Sequence, residues 1–563
     1  MSFPGLRATP LVLELDLTEP VLEVAPTDPL GQALARRRLA LPDLLRRLQR
    51  ASGDDRVVAL VAKLGSDRLA LATAQELRQA VLALRAGGTR TVAWAESLGE
   101  FSPANVSYYL ATAFEELWLQ PSGDVGLTGV ALEVPFLRDA LDKAGIEPEI
   151  SQRYEYKNAA NLFNERAFTA AHREATERLV TASADQLVRG IAQQRGLTEQ
   201  QVRDLLDHGP LTAEEARAGG LIDRVGYRDE AYADVRARAG RSPQLRFLNR
   251  YAAKPATPGS PLRLLPGRRR PVVALVHGTG AVRLGRSGRS RLPGSGGTSM
   301  GSDTVGSALR AAAAADDVRA VVLRVNSPGG SYAASDAIWR EVAQVRAVGK
   351  PVVVSMGDVA ASGGYFVAMG SDAIVASPAT VTGSIGVLGG KQVFDGLLSR
   401  LGVRVEAVSE GEHARFYSPR TSYSPSERDR LERWLDAVYE DFTAKVAAGR
   451  GLTRAQVHEV ARGRVWTGAD AQAHGLVDEL GGLERAVEIA AARAGVRRGS
   501  PVELRTYPKV SPLERLRPPQ SSEDPAAAAA GYLDGWGALA GVAAWLGLPA
   551  AGPLVLPGPW RVR

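Results

Sequence analysis

Two glycine-rich turns carry the residues best suited to chemistry. One is NSPGGS (326–331), and the other is GDVAASGGYF (357–366), which runs from an apolar strand pattern into a helical one. A strand-to-helix junction presents a side-chain hydroxyl beside free backbone N–H groups. Glycines there let a second backbone come close. In such an arrangement Ser362 attacks a carbonyl, and the N–H groups of Gly329 and Gly363 hold the developing oxyanion. Each such donor is typically worth about 10²–10³ in rate. Either turn taken alone is equally compatible with an ordinary Gly turn and a helix-capping serine.

A serine nucleophile needs a base. Six histidines occur, of which His277, at the end of a strand pattern, is the best placed; it also reads as a plain polar strand end. The alternative is lysine, whose amine accepts a proton once desolvation lowers its pKa. Arginine cannot do this. The chain holds 61 arginines and eight lysines: Lys63, Lys143, Lys157, Lys254, Lys350, Lys391, Lys445 and Lys509. The absence of cysteine excludes thiol nucleophiles and thiolate metal sites, and no two histidines have zinc-ligand spacing on one helix face, so neither metal nor cofactor is expected.

The elements that position these residues come in duplicate. LTAEEARAGGLIDRVG (211–226) returns as WTGADAQAHGLVDELG (466–481), GLTEQQV (196–202) as GLTRAQV (451–457), SYYLATAFEELWLQPSG (107–123) as GYFVAMGSDAIVASPAT (364–380), and AGIEPEIS (144–151) as LGVRVEAV (401–408). An offset near 255–257 throughout means duplicated domains. The expected division is an N-terminal domain over 1–253, a Pro/Gly-rich linker over 254–270, a C-terminal domain over 271–506 and a Pro/Ala-rich apolar tail over 507–563. In the second half the strand patterns 271–277, 319–325, 351–356 and 372–377 alternate with helical patterns near 304–316 and 333–347, which predicts an α/β fold with a mostly parallel sheet.

The two turns together resemble the fold shared by the Clp protease and crotonase families. With TGSIGV (382–387) following in order, they resemble the signal peptide peptidase A family more specifically, in its long tandem bacterial form, over about residues 50–510. The resemblance implies a serine endopeptidase with a Ser-Lys dyad and a base lysine in the first half, in a Tyr-Lys-small context before a helix. Lys157, in SQRYEYKNAANLF, matches that position, and Ser384 in TGSIGV would orient the lysine. At an offset of 257, Ser362 corresponds to Asn105 and Lys157 to Ala414, while KLGSDRLA (63–70) stands where the first half lacks a PGG turn. One composite site per chain is therefore expected. The resemblance further implies a peptide substrate (remnants of cleaved signal peptides), a homo-oligomer such as a tetramer, and association with the bacterial cytoplasmic membrane.

The net charge of +7 is small for 563 residues and well mixed in sign, so nucleic acid is not an expected partner. The N-terminus shows neither a signal-peptide pattern nor a spanning helix. Residues 535–560 are uncharged but broken by Gly and Pro; they read either as a packed tail or as an interfacial membrane anchor. The run 288–303 reads as a mobile loop near the site, and HGTGAVRLGRSG (277–288) lacks the Gly-Lys-Ser/Thr of a nucleotide loop. Two other readings compete with a peptidase: a crotonase-like acyl-CoA enzyme and a non-catalytic scaffold of a membrane complex.

Overall fold

The computed structural model describes residues 9–26, 38–239, 242–252, 270–288 and 298–508, with the backbone of 554–555. The linker, residues 289–297 of the expected loop, and most of the tail lie outside the described residues.

The chain forms two compact units. The first, residues 1–132 and 180–269, is built on a six-stranded sheet. Its strands run in the spatial order Arg224–Val225, Glu116–Leu119, Arg90–Ala95, Val57–Lys63, Leu11–Asp16 and Gln244–Phe247, all parallel. Near-continuous apolar strands such as VVALVAK (57–63) suit a sheet covered on both faces, and Val12, Val61, Val92 and Trp94 are buried in its core.

The second unit comprises residues 133–179 and 270–560. The four expected strands appear at Val272–Thr279, Val318–Ser327, Val352–Ala361 and Ala373–Ala376, and the two helices at Ser302–Ala314 and Tyr332–Ala347. The sheet is parallel apart from Val465–Thr467, which runs antiparallel to Val381–Gly383. Within 288–303, residues Ser299–Gly301 form a short strand beside Ala281–Arg283, because the ladder there continues the edge that carries Gly329–Gly330.

Residues 133–179 belong to the first repeat by sequence yet are compact with the second half. The cause is local. Glu147–Gln152 pairs antiparallel with Leu388–Val393 over six residues, and Ile150, Ala160, Phe163 and Leu388 close a small apolar core beneath. Arg153 bridges Glu432 and Asp436, Arg464 meets Glu174 and Arg178 meets Asp470. Such partly exposed pairs contribute about 0–1 kcal/mol each. A buried Ile or Phe contributes about 1.5–3. The ladder and its apolar floor therefore dominate the docking.

The duplication is visible in the bonds. Tyr108 donates its hydroxyl to the Leu221 carbonyl and Tyr365 does so to Leu476, while Arg195–Asp223 and Arg450–Asp478 repeat one ion pair.

Candidate active site

The strand Val352–Ala361 and the strand Val381–Gly383 run parallel with Ala361 opposite Gly383. Ser362 and Ser384 are the next residues on each, so register alone makes them neighbours. Both leave their strands at positive φ, 55° and 52°. For a residue with a side chain this costs about 1–3 kcal/mol. The surroundings hold it: Ser362 N–H donates to Gly383 O, Phe366 N–H donates to Ser362 O, and Ser384 N–H donates to Arg464 O. The result is a sharp turn into the short helix Gly363–Phe366.

Lys157 precedes the one-turn helix Asn158–Ala160 on the docked first-repeat segment. Its Nζ lies 2.8 Å from Ser362 Oγ, 2.9 Å from the Ser384 carbonyl and 2.9 Å from Ser384 Oγ. Lys157 and Ser362 are 0% exposed and Ser384 is buried with them. No carboxylate is among these partners, and burial lowers the lysine pKa to about 7. A neutral amine has two N–H donors and one lone pair. The two oxygens of Ser384 take the donors, which leaves the lone pair facing the Ser362 hydroxyl. That arrangement can pass the serine proton to nitrogen.

The structure thus brings Lys157, Ser362 and Ser384 together. His277 stands on another strand, opposite Arg324 in the register, while the bonded partner of Ser362 Oγ is the lysine.

The glycine turns abut. A Cβ on Gly363 would lie 3.0 Å from Gly330 N, and one on Gly364 would lie 2.6 Å from Ser327 O, so neither position tolerates a side chain. Asn326 Oδ1 accepts from Val359 N–H where the strands 318–327 and 352–361 shift register, which fixes the two turns against each other. Gly329 N–H donates to Ser327 Oγ at 3.2 Å, inside its own turn. Gly330 N and Gly329 Cα are the backbone atoms nearest to where a Gly363 Cβ would stand. The N–H of Gly363, at the start of its helix, has no carbonyl of that helix to meet.

Sequence reasoning missed two glycines. A Cβ on Gly463, at φ +85°, would lie 2.5 Å from the Lys157 backbone, and one on Gly386 would lie 3.3 Å from Lys157 Cδ. These positions wall the lysine stem. Arg462 and Arg464, flanking Gly463, stack their guanidinium groups over the Tyr156 ring at 5.4 and 4.9 Å. Gly386 lies in TGSIGV, so the cluster of small residues was a usable signal; Gly463 had none.

The first unit holds a closed counterpart. Asn105, the equivalent of Ser362, accepts from Thr128 and Gly129 N–H and donates to Gly129 O. Asp67, in the turn that replaces PGG, takes the N–H groups of Val106 and Ser107. A carboxylate occupies the donors that a nucleophile's neighbourhood would need.

A serine beside a desolvated lysine on a duplicated parallel α/β scaffold defines a class of serine hydrolase. The chain belongs to peptidase family S49, whose model matches residues 88–241 and 344–497; the Clp protease model matches 295–380. It is 30% identical to a chloroplastic serine protease SPPA of Arabidopsis thaliana over 86% of this chain and 69% of that protein. It is 32% identical to protease 4 of Salmonella typhi over 81% of this chain and 72% of that one. A solved membrane-bound stomatin-specific protease aligns over 43% of this chain and 100% of its own, at 14% identity and a TM-score of 0.27. The protein is a serine peptidase of two tandem domains, and the acyl-CoA and scaffold readings are set aside.

Proposed function

We propose that the chain cleaves peptide bonds with a Ser362–Lys157 dyad. The observation that carries this reading is the 2.8 Å approach of a fully buried amine, without a carboxylate partner, to a serine hydroxyl. Lys157 Nζ takes the Ser362 proton as Oγ bonds to the scissile carbonyl carbon. The carbonyl oxygen becomes an oxyanion held by the N–H of Gly363 and by the Gly329–Gly330 turn packed against it. The ammonium then protonates the leaving amine as the C–N bond breaks. Water, deprotonated by the same lysine, releases the acyl group and restores the hydroxyl. Ser384 orients the amine in both steps.

The substrate class in this reading is the apolar remnant of cleaved signal peptides, at the bacterial membrane, as the resemblance implies; a relative in Enterococcus faecium bears the name signal peptide peptidase. Among the described residues no helix is long and apolar enough to cross a membrane. A homo-oligomer, such as a tetramer, is supported by the second repeat's counterpart of strand Glu147–Gln152. Residues 403–410 form no strand in the chain, and Val403, Val405 and Val408 are exposed, as a segment awaiting another copy would be.

The test is labelling with a fluorophosphonate probe and mapping of the modified residue. Modification at Ser362, lost in Ser362→Ala and in Lys157→Ala, is the expected result. Labelling of another serine overturns the assignment.

A further inference from the structure

Every residue of the run Tyr154–Lys157 meets one short stretch of the second half. Tyr154, at φ 65°, stacks on Tyr439 and His458 with ring centroids 4.7 and 4.9 Å away. Glu155 pairs with Arg462 at 2.8 Å. The Tyr156 ring lies under the guanidinium groups of both Arg462 and Arg464, and the Lys157 backbone fills the space that a side chain at position 463 would need. Arg464 also lies over the Trp466 ring, at 4.2 Å. Ring and cation therefore alternate from Trp466 through Arg464 and Tyr156 to Arg462. The turn that carries both arginines is itself held: Arg462 takes a φ of 52°, and its N–H donates to the Tyr439 hydroxyl at 3.4 Å.

We propose that Tyr156 is the positioning residue of the base: the two guanidinium groups flanking Gly463 clamp its ring and so set where Lys157, the next residue, places its amine. The segment needs such a hold. The ladder that docks it ends at Gln152, short of the base, and a separate one-turn helix begins at Asn158. Guanidinium suits the task because its rigid plane stacks on an aromatic face, which an ammonium cannot reproduce. A cation–π contact also strengthens as water is excluded, and the Arg464 side chain is only 14% exposed. The ion pairs that the same arginines make, to Glu155 and Glu174, end on carboxylates that are about half exposed, where solvent screens them. The ring contacts therefore carry the hold. The proposal rests on the reading of Lys157 as the base.

The experiment compares Tyr156→Leu, which has no π face, with Tyr156→Phe, which keeps one, in the full chain acting on a fluorogenic peptide. Tyr156→Leu is expected to lower kcat about 10²-fold, the scale for misplacing a catalytic group by about 1 Å. KM should be unchanged, and the pH limb should move upward as the amine regains solvent. Tyr156→Phe should retain most of the activity and the parent's limb. In the Tyr156→Leu background, Arg462→Met with Arg464→Met should cost nothing further, because members of one contact are not additive. Glu155→Gln and Glu174→Gln should leave kcat alone; a loss as large as that of Tyr156→Leu would assign the hold to the ion pairs and overturn the proposal. A second readout needs no catalysis. In protein carrying Ser362→Ala, an amine lowered from 10.5 to about 7 makes Tm rise with pH between those values. Tyr156→Leu should flatten that rise toward the slope seen with Lys157→Met. An unchanged slope overturns the clamp even if the dyad stands, as does a Tyr156→Phe variant as impaired as Tyr156→Leu. If Lys157→Ala proves active while Tyr156→Leu still flattens the slope, the dyad reading fails and the clamp on the buried lysine survives.

Discussion

Gly463 leaves no room for a side chain against Lys157: a Cβ there would sit 2.5 Å from both the Cα and the N of the lysine. Because Gly463 N–H also donates to Ile385 O, the turn at 461–464 cannot simply retreat. Gly463→Ala should displace the lysine segment rather than the turn. The expected outcome is a loss of kcat of about 10²-fold, the scale for misplacing a catalytic group by about 1 Å, with KM little changed and the pH limb moved. Wild-type kinetics from this variant would mean the close approach does not position the base.

Removing the nucleophile is the plainest test. Ser362→Ala should lower kcat by about 10⁶, while circular dichroism and oligomeric state remain those of the parent. A variant that keeps a tenth of the activity would reassign the nucleophile.

In the proposed mechanism Lys157 acts only as a free amine. With its pKa lowered to about 7, activity should rise along a single limb as pH passes through that value and then level off. Lys157→Arg should be as inactive as Lys157→Ala, because guanidinium stays protonated. His277→Ala should keep the limb. A His277→Ala variant without activity, beside an active Lys157→Ala, would replace the dyad with a Ser-His pair.

The same residue makes a stability prediction. The unfolded lysine titrates near 10.5 and the folded one near 7, so between those values the unfolded chain binds the extra proton. Stability should therefore rise with pH across that window, by about 1.4 kcal/mol per pH unit at most. Below pH 7 both states are charged and the burial penalty is fully present. Lys157→Met should be inactive yet more stable at neutral pH, with the gap in Tm closing as pH approaches 10. A Tm difference that is independent of pH would contradict this.

In the proposed dyad Ser384 positions the amine. Ser384→Ala removes one of the two oxygens that face the amine but leaves the carbonyl, so kcat should fall by about 10–10²-fold, the range of one lost hydrogen bond to a charged group. KM should hold, and Ser384→Thr should recover part of the loss. If Ser384→Ala leaves both kcat and the pH limb untouched, the hydroxyl only fills space.

Much of this site was legible in the sequence because its parts are local signals. NSPGGS and GDVAASGGYF mark strand ends by their glycines, and the apolar strands between them announce a parallel sheet. The register that sets Ala361 opposite Gly383, and so Ser362 beside Ser384, is a long-range pairing with no local trace. Lys157 could be nominated only through a resemblance, since nothing in SQRYEYKNAANLF says which surface it will be buried against. The bond from Gly329 N–H to Ser327 Oγ, inside the PGG turn, is likewise visible only in three dimensions. Gly463 went unnoticed because a glycine that makes room for another segment looks like any other.

The segment 133–179 folds with residues that follow it by two hundred positions, and this orders events during synthesis. A ribosome delivers Lys157 early, Ser362 and Ser384 much later, and Gly463 last. Until Ser362 has emerged the amine has no hydroxyl to accept a proton from, and until Gly463 has emerged its pocket lacks a wall. Competence of the proposed dyad therefore waits until the turn at Gly463 has been made. Splitting the proposed dyad across a duplication supplies that delay.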